Sequence, residues 1–243
     1  MIRKTDLGGA AQRPEDEIWQ IAIDGPSGSG KSTAAKKIAD EIGIDYVDTG
    51  AMYRAIALKI LRTGTEIDEA ADKGLAGLKE LLDETEVEFE SGRILLDGTD
   101  VSHLIRSPEV SSMASKSSAL GIVREKLVAL QRKMGETKRV VADGRDIGTN
   151  VFPGARFKFF LTASPEERAR RRCDEMAAAC REQPFDEVLA DINKRDYDDS
   201  HRELNPLKRA EDAILLDTDN MDADQVVSEI LKYVFSNTRR KPH

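Results

Sequence analysis

The sequence has few aromatic residues and few cysteines, and it contains no long apolar run. Aromatic residues make up 5% of its 243 residues, and only two residues are cysteine. No segment approaches the roughly 18 consecutive apolar residues that a membrane span requires, so we expect no membrane segment. Cys173 and Cys180 lie on one predicted helix in a poor arrangement for a disulfide, and they have no neighbouring histidine to complete a metal site. This cysteine usage favours a cytoplasmic protein with reduced thiols.

An excess of positive charge is also absent. The formal net charge is −8, although 34% of the residues are charged. Because no basic field covers the whole surface, we expect no nucleic-acid partner, and any anionic ligand must be met by a local group of arginines. Residues 1–17 are polar and lack an apolar run after Arg3 and Lys4, which predicts a disordered extension rather than a secretory signal.

The clearest chemical pattern is GPSGSGKS at residues 25–32, which fits the phosphate-binding loop G-x-x-x-x-G-K-[ST]. A strand pattern precedes it and a helical pattern follows it, as the loop requires. Glycines let backbone N–H groups surround a polyphosphate, while Lys31 would reach its β- and γ-phosphates and Ser32 would ligate Mg²⁺. The residues predicted to bind a nucleoside triphosphate are Gly25, Pro26, Ser27, Gly28, Ser29, Gly30, Lys31, Ser32 and Thr33.

The spacing of apolar segments predicts an α/β fold, a doubly wound sheet of five parallel strands. The strands are predicted at residues 19–23, 46–48, 139–143, 157–161 and 214–217. Between residues 64 and 109 an acidic helix (69–82) precedes segments that alternate at period two and are separated by glycine turns. This pattern predicts a small hairpin subdomain inserted into the core. A later helix is predicted at about residues 123–134.

Two further motifs follow predicted strands. In DTGAMYR (48–54), Thr49 and Arg54 would lie at the carboxyl edge of the sheet, where an arginine can bind a second phosphate. The alternative is that the start of this motif only caps a helix and that Arg54 is solvated. In DGRDIG (143–148), two carboxylates and an arginine stand at the mouth of the crevice, and the alternative is a polar turn with a surface ion pair.

Arginines are dense on the two predicted helices that follow. Arg168, Arg170, Arg171 and Arg172 share one helix, and for each a solvated face is an equally good interpretation. On the later helix Arg195, Asp199 and Arg202 are spaced i, i+4 and i+7. They therefore share one face and could meet a ligand together.

Together these segments resemble the bacterial-type cytidylate kinases, a branch of the nucleoside monophosphate kinase family. The resemblance covers roughly residues 19–236 and is carried by IDGPSGSGKS, DTGAMYR, ADGRDIGT and VFP, which begin at residues 23, 48, 142 and 151. The hairpin insert resembles the enlarged monophosphate-binding domain of that branch. The resemblance implies a monomeric enzyme of pyrimidine nucleotide metabolism that uses Mg²⁺ and ATP to phosphorylate CMP or dCMP. It also implies a kinase domain at 18–236 with a helical lid at about 168–184, and a frayed basic tail is expected at 237–243.

The resemblance further implies a role for individual residues. Lys31, Arg145, Arg195 and Arg202 would be catalytic. Thr49, Arg54, Arg145 and Arg202 would contact the acceptor phosphate; Ser115, Arg124 and Asp146 would read the base; Arg195 and Asp199 would hold the ribose hydroxyls. This sequence departs from the family pattern at two positions, with Thr49 in place of a common serine and Ile122 in place of a basic residue.

Other functions compete with this interpretation. A nucleotide-gated switch protein also has a phosphate loop, but the sequence has no Asn-Lys-x-Asp run for guanine and no glutamine after an acidic strand end. A UMP-accepting kinase, a kinase for another small acceptor, and a phosphate loop that is only structural remain as alternatives.

Overall fold

The computed structural model describes residues 18–67, 72–90, 92–178 and 182–238. The predicted extension at 1–17, the end of the basic tail, Cys180 and part of the predicted lid at 179–181 lie outside the described residues. Within the described residues, no helix combines the length and the apolar character needed to cross a membrane.

The predicted five-stranded parallel sheet is confirmed. Its strand order is β2-β6-β1-β7-β8, with the phosphate-loop strand β1 at the centre. The strands are β1 (Gln20–Asp24), β2 (Asp45–Asp48), β6 (Val140–Gly144), β7 (Phe157–Thr162) and β8 (Ile214–Asp217). They are short. The central strands are apolar because they are buried on both faces, as parallel strands usually are.

Helices pack on the two faces of this sheet or on one another. They are α1 (Lys31–Ile42), α2 (Thr49–Thr63), α3 (Asp72–Asp83), α4 (Pro108–Ser117), α5 (Gly121–Thr137), α6 (Pro165–Ala178), α7 (Phe185–His201) and α8 (Ala223–Thr238). On one face Ile38 of α1 and Ile230 of α8 are buried with Ile23 of β1. On the other face Ile56 of α2 and Leu127 of α5 belong to a second core cluster. The sheet therefore fixes the position of every loop at its carboxyl edge.

The region between the second and third core strands in chain order carries a small antiparallel sheet. It comprises β3 (Val87–Glu90), β4 (Arg93–Leu96) and β5 (Thr99–Asp100), close to the predicted hairpin. Ile94 and Leu96 of β4 are buried in the same apolar cluster as α2. This small sheet therefore packs on the helix that carries Arg54.

Helix α5 is one turn longer than the sequence indicated. It continues through Gly135, where a side chain would not fit, because a Cβ atom there would lie 2.6 Å from Phe152. The Gly135 carbonyl also accepts a hydrogen bond from Gln20 Nε2 at 2.8 Å. Contact with the core therefore holds the last turn of α5 in a segment whose glycine disfavours helix.

Candidate active site

The loop between β1 and α1 requires its glycines. Gly25 has φ +147° and Gly28 has φ +77°, values that residues with side chains rarely adopt. A Cβ atom on Gly25 would lie 2.0 Å from the Leu161 carbonyl oxygen, and one on Gly28 would lie 3.1 Å from Arg168 Cβ. The loop can therefore follow this path only with glycine at positions 25 and 28.

Helix α1 begins without a side-chain cap. Its N-cap residue, Gly30, has no side chain to cap it, and its first intrahelical hydrogen bond runs from Ala34 N to Gly30 O. The N–H groups of Lys31, Ser32 and Thr33 therefore have no partner within the helix. Uncapped N–H groups and the positive end of the helix dipole together form an anion-binding site.

Lys31 is buried inside this loop. Its Nζ donates to the Pro26 carbonyl and, at 3.4 Å, to Ser29 Oγ. Burial, together with the nearby charge of Arg145, lowers the pKa of Lys31 to about 7. An anion beside it would stabilise the charged form, because it offsets the cost of desolvation.

Opposite the loop, the Asp143 carboxylate at the end of β6 accepts two hydrogen bonds. Ser32 Oγ donates to Oδ2 at 2.6 Å and the Tyr46 hydroxyl donates to Oδ1 at 2.9 Å. Burial raises the pKa of Asp143 and the repulsion of Asp48 adds to that rise, while Ser32 opposes it. Tyr46 was not predicted as a site residue; its only signal was its position on the strand before the DTGAMYR motif.

Helix α2 brings Thr49 and Arg54 to the same edge. Thr49 Oγ1 donates to the Asp143 carbonyl at 2.6 Å, and Asp48 accepts from the Ala51 N–H at 2.7 Å. Asp48 therefore caps α2, as the alternative interpretation held. Arg54 is nevertheless not solvated: its side chain is 21% exposed and pairs with Asp48 at 3.5 Å.

The turn after β6 places Arg145 and Asp146 against α5, α7 and the segment after α7. Arg145 Nε donates to Asp199 at 2.7 Å. Asp146 is paired with Arg124 on one oxygen and, at 3.1 Å, with Arg202 on the other. The alternative of a surface ion pair is wrong here, because Asp146, Arg124 and Arg202 are each at most 8% exposed at the side chain.

We use the term arginine cluster for Arg54, Arg124, Arg145, Arg195 and Arg202. Arg195 lies near Arg145, Asp199 and Arg54, and its burial, with the charge of Arg145 as the next cause, lowers its pKa to about 10. Among the described residues, no hydrogen-bond partner is found for the buried Nε atoms of Arg54, Arg124 and Arg195. Buried donors without partners are costly, and they indicate that the cluster is built for an anionic ligand.

The arginines of α6 differ from one another in exposure. Arg168 is 3% exposed, donates to the Ser27 and Ala163 carbonyls at 3.0 Å, and pairs with Asp196 at 2.6 Å. For Arg168 the solvated interpretation is therefore wrong. Arg170 and Arg172 are exposed and form ion pairs along the helix, as a solvated face predicts. Arg171 donates to Thr218 Oγ1 at 3.1 Å beside the phosphate loop.

Ser115, a residue predicted to read the base, lies near Arg124 through Ser118. It lies half-buried on α4, and its carbonyl accepts from Ser118 Oγ at 2.9 Å. The Ser118 carbonyl in turn accepts from Arg124 at 3.4 Å. Ser115 therefore lies one helical turn before Ser118, the residue that contacts Arg124.

Asp24 is a second residue that sequence reasoning missed. It is 3% exposed at the end of β1 and accepts from the N–H groups of Ile147 and Gly148, each at 2.7 Å. Burial raises its pKa to about 6. The only signal in the sequence was an acidic residue that ends an apolar strand directly before the phosphate loop.

The fold, with a phosphate loop and a cluster of buried arginines at one edge of the sheet, is that of a phosphate-loop kinase. The comparisons with known proteins give the family. Residues 21–236 match the family model described as Cytidylate kinase. The chain belongs to the cytidylate kinase family.

Several relatives carry that name. A protein named Cytidylate kinase from Caldanaerobacter subterraneus subsp. tengcongensis is 48% identical over 90% of this chain and 96% of that protein. One from Carboxydothermus hydrogenoformans is 46% identical over 88% of this chain and 96% of that protein. Among solved structures, an uncharacterised protein from Eubacterium ventriosum has a TM-score of 0.51 at 15% identity and covers 90% of this chain and 99% of its own, which shows a shared fold.

Proposed function

We propose that this chain transfers the γ-phosphoryl group of ATP to the phosphate of CMP or dCMP, giving ADP and the nucleoside diphosphate. The observation that carries the proposal is that the two anion sites adjoin. Asp143 joins them: its carboxylate accepts from Ser32 of the phosphate loop and its carbonyl accepts from Thr49 on the acceptor side, each at 2.6 Å, and Arg145 of the arginine cluster follows two residues later. Two nucleotides bound with their phosphates on these sites would meet end to end.

On the donor side, the phosphate loop would hold the ATP phosphates through its N–H groups and Lys31. The Ser32 hydroxyl and the Asp143 carboxylate are hard oxygen donors that lie 2.6 Å apart, and Mg²⁺ takes such donors. These two residues would therefore hold Mg²⁺, which would neutralise charge on the β- and γ-phosphates.

On the acceptor side, the charge of the arginine cluster suits a nucleoside monophosphate. Arginines of the cluster form ion pairs with three carboxylates, those of Asp48, Asp146 and Asp199, so the cluster holds more guanidinium groups than these paired carboxylates. A phosphate monoester carries about −1.5 to −2 at pH 7. We assign the phosphate to Thr49, Arg54, Arg145 and Arg202, and the ribose to Arg195 and Asp199.

Asp146 supports a preference for cytosine. Its two oxygens accept from Arg124, Arg202 and Asn150 Nδ2, the last at 2.9 Å. A carboxylate has about four acceptor positions, so one is left for the exocyclic amine of cytosine. Uracil has a carbonyl oxygen at that position, which would face the carboxylate without a proton between them. With Arg124 and Ser115, Asp146 would therefore read the base.

The reaction needs no nucleophile from the protein, because the acceptor phosphate is itself an anionic nucleophile. The transition state spreads charge over the migrating group, so the protein acts by positioning and by electrostatic stabilisation. Lys31, Arg145 and the other arginines of the cluster offset the repulsion between two polyanions that must approach to within about 3–3.5 Å. The region at about 168–184 would act as a lid that excludes water.

We further propose a monomeric cytoplasmic protein with no nucleic-acid partner. The net charge of −8 disfavours nucleic acid, and the low cysteine usage favours a reducing compartment.

A coupled ADP-release assay over CMP, dCMP, UMP, AMP and GMP tests the proposed function. We expect rapid ADP release with CMP and dCMP, weaker release with UMP, and release at least about a hundredfold slower without an acceptor. Slow hydrolysis at one rate, whatever the acceptor, would instead identify a nucleotide-gated switch. A preference for UMP would contradict the role given to Asp146.

A further inference from the structure

Asp24 caps a turn that belongs to a different part of the chain. Residues Ile147–Val151 form a single turn of π-helix directly after Asp146, and no side chain of its own N-cap residue satisfies its first N–H groups. Asp24 Oδ1 accepts from the Ile147 N–H and Oδ2 accepts from the Gly148 N–H, both at 2.7 Å. Both carboxylate oxygens therefore hold the start of this turn.

The capped turn determines where Asp146 stands. The Asp146 carbonyl accepts from the N–H groups of Asn150 at 2.9 Å and Val151 at 3.1 Å, and its side chain lies between Arg124 and Arg202. A shift of the turn would therefore move the carboxylate and both of its arginines. Gly148 leaves room for the contact, because a Cβ atom there would lie 3.3 Å from Asp24 Oδ2.

We infer that Asp24 is a positioning residue for the acceptor nucleotide: as a carboxylate it holds the Ile147–Val151 turn and thereby sets Asp146 between Arg124 and Arg202. This inference rests on the proposed function, which places the acceptor base and phosphate at those residues. Asp24 itself would contact neither nucleotide. It acts through two backbone N–H groups, and its position at the end of β1 connects the acceptor site to the strand that carries the phosphate loop.

The ionised form of Asp24 is the one that can accept both hydrogen bonds. Asparagine keeps the shape but replaces one acceptor oxygen with an NH₂ group, which would face a backbone N–H. Three other charged groups lie around this carboxylate. They are Lys31 from α1, Asp146 from the turn, and Lys158 from β7, whose aliphatic carbons reach Gly148 while its Nζ pairs with Asp212. Burial raises the pKa of Asp24 to about 6, so the site would hold this carboxylate charged at pH 7.5 and neutral at pH 5.

The test compares D24N with the wild type by calorimetric titration of CMP and, separately, of a non-hydrolysable ATP analogue. At pH 7.5 we expect the Kd for CMP to rise at least tenfold in D24N and the Kd for the ATP analogue to change less than threefold. The Kd of D24N for CMP divided by the Kd of the wild type should fall towards one as the pH is lowered to 5, because wild-type Asp24 then loses its charge. Taking the ratio removes the titration of the CMP phosphate, which both proteins share.

D212N is the matched control, since Asp212 pairs with Lys158 beside the same turn but accepts from neither Ile147 nor Gly148. We expect its CMP affinity to equal that of the wild type. Equal losses for CMP and for the ATP analogue in D24N, or an unchanged Kd for CMP, would overturn the inference. If the wild type did not phosphorylate CMP at all, the proposed function would fail instead.

A second measurement needs neither variant nor nucleotide. The amide proton resonances of Ile147 and Gly148 in the wild type should move together with pH, with a midpoint near 6, because their acceptor gains a proton there. Two resonances that titrate with different midpoints, or that do not move at all between pH 3 and 7.5, would overturn the inference even if D24N did not fold, because a shared carboxylate acceptor must move both together.

Discussion

At the scale of single residues, the acceptor side of the crevice depends on charges that neutralise one another. Asp146 is paired with Arg124 and Arg202, and Arg145 is paired with Asp199. All of these side chains are largely buried, so removing one leaves the charge of its partner uncompensated. These residues therefore affect both ligand affinity and the local structure, and variants must be judged against a matched control.

Arg145→Ala and Arg202→Ala should each lower kcat/KM for CMP at least about a hundredfold, or about 2.7 kcal/mol of transition-state stabilisation. The reason is that each removes a positive charge from the site where charge develops during phosphoryl transfer. Steady-state kinetics at several CMP concentrations measure this. Arg62→Ala, at the exposed end of α2, is the control and should stay within about twofold, because Arg62 belongs to neither proposed anion site. Wild-type-like kinetics in both variants would contradict the assignment of Arg145 and Arg202 to the acceptor phosphate.

Asp24 should also make the stability of the fold depend on pH. Its pKa is about 6 in the folded protein, against an ordinary value of 3.8 for an aspartate exposed in the unfolded chain. Between these two values the folded state therefore binds a proton that the unfolded chain does not. The free energy of unfolding falls as pH rises from about 4 to 6, by about 3 kcal/mol at most. Asparagine does not titrate. The free energy of unfolding of Asp24→Asn minus that of the wild type should therefore rise by that amount as the pH increases from about 4 to 6.

Urea denaturation of both proteins from pH 4.5 to 8 measures this difference. Asp212→Asn is the contrasting variant, because the hydrogen bond from Lys158 lowers the pKa of Asp212. The stability of Asp212→Asn relative to the wild type should not rise with pH. A stability difference between D24N and wild type that is constant with pH would contradict the titration assigned to Asp24.

At the scale of helices and strands, the sequence predicted the elements whose patterns are local. The phosphate loop, the five strands and the hairpin have signals within a few residues: glycines, apolar runs and alternation. The extra turn of α5 was not predictable, because Gly135 is held by Phe152 and Gln20, which are distant in sequence. The same holds for the cap that Asp24 gives to the Ile147–Val151 turn, and for the hydrogen bond from Tyr46 to Asp143. These contacts depend on neighbouring parallel strands, whose pairing partners a single sequence does not state.

Arg168 connects three elements, and the spacing of the arginines on α6 did not distinguish it from its neighbours. Arg168→Met should raise the KM for ATP about tenfold or more, because the side chain would no longer hold the Ser27 carbonyl of the phosphate loop. It should also destabilise the fold by about 2 kcal/mol or more, since Asp196 loses its partner. Arg170→Met on the same helix is the matched control for stability and should leave the free energy of unfolding almost unchanged. Kinetics and urea denaturation of the pair measure the difference, and equal behaviour of the two variants would show that Arg168 is not an anchor.

At the scale of the whole molecule, the crevice is assembled from distant parts of the chain. The donor side comes from residues 25–33, and the acceptor side comes from α2, the end of β6, α5 and the end of α7. Lys31 on the donor side and the arginine cluster on the acceptor side would face the phosphates of the two nucleotides. Because the molecule carries a net charge of −8, the attraction for two polyanions comes from this local group alone.

The two nucleotides should therefore bind with positive coupling. Two unit charges 4 Å apart repel by about 4 kcal/mol at an effective dielectric constant of 20, so adjacent polyanions would oppose one another unless cations lie between them. We expect the Kd for CMP to fall at least about fivefold when a non-hydrolysable ATP analogue is saturating, within the usual range of coupling.

In Arg195→Ala the coupling should vanish or change sign, since Arg195 lies next to Arg145 and Arg54 and offsets that repulsion. Calorimetric titrations of CMP with and without the analogue measure both values, and Arg62→Ala, an exposed residue at the end of α2, should keep the wild-type coupling. Equal Kd values for CMP in the presence and absence of the analogue would mean that the two sites do not adjoin as proposed.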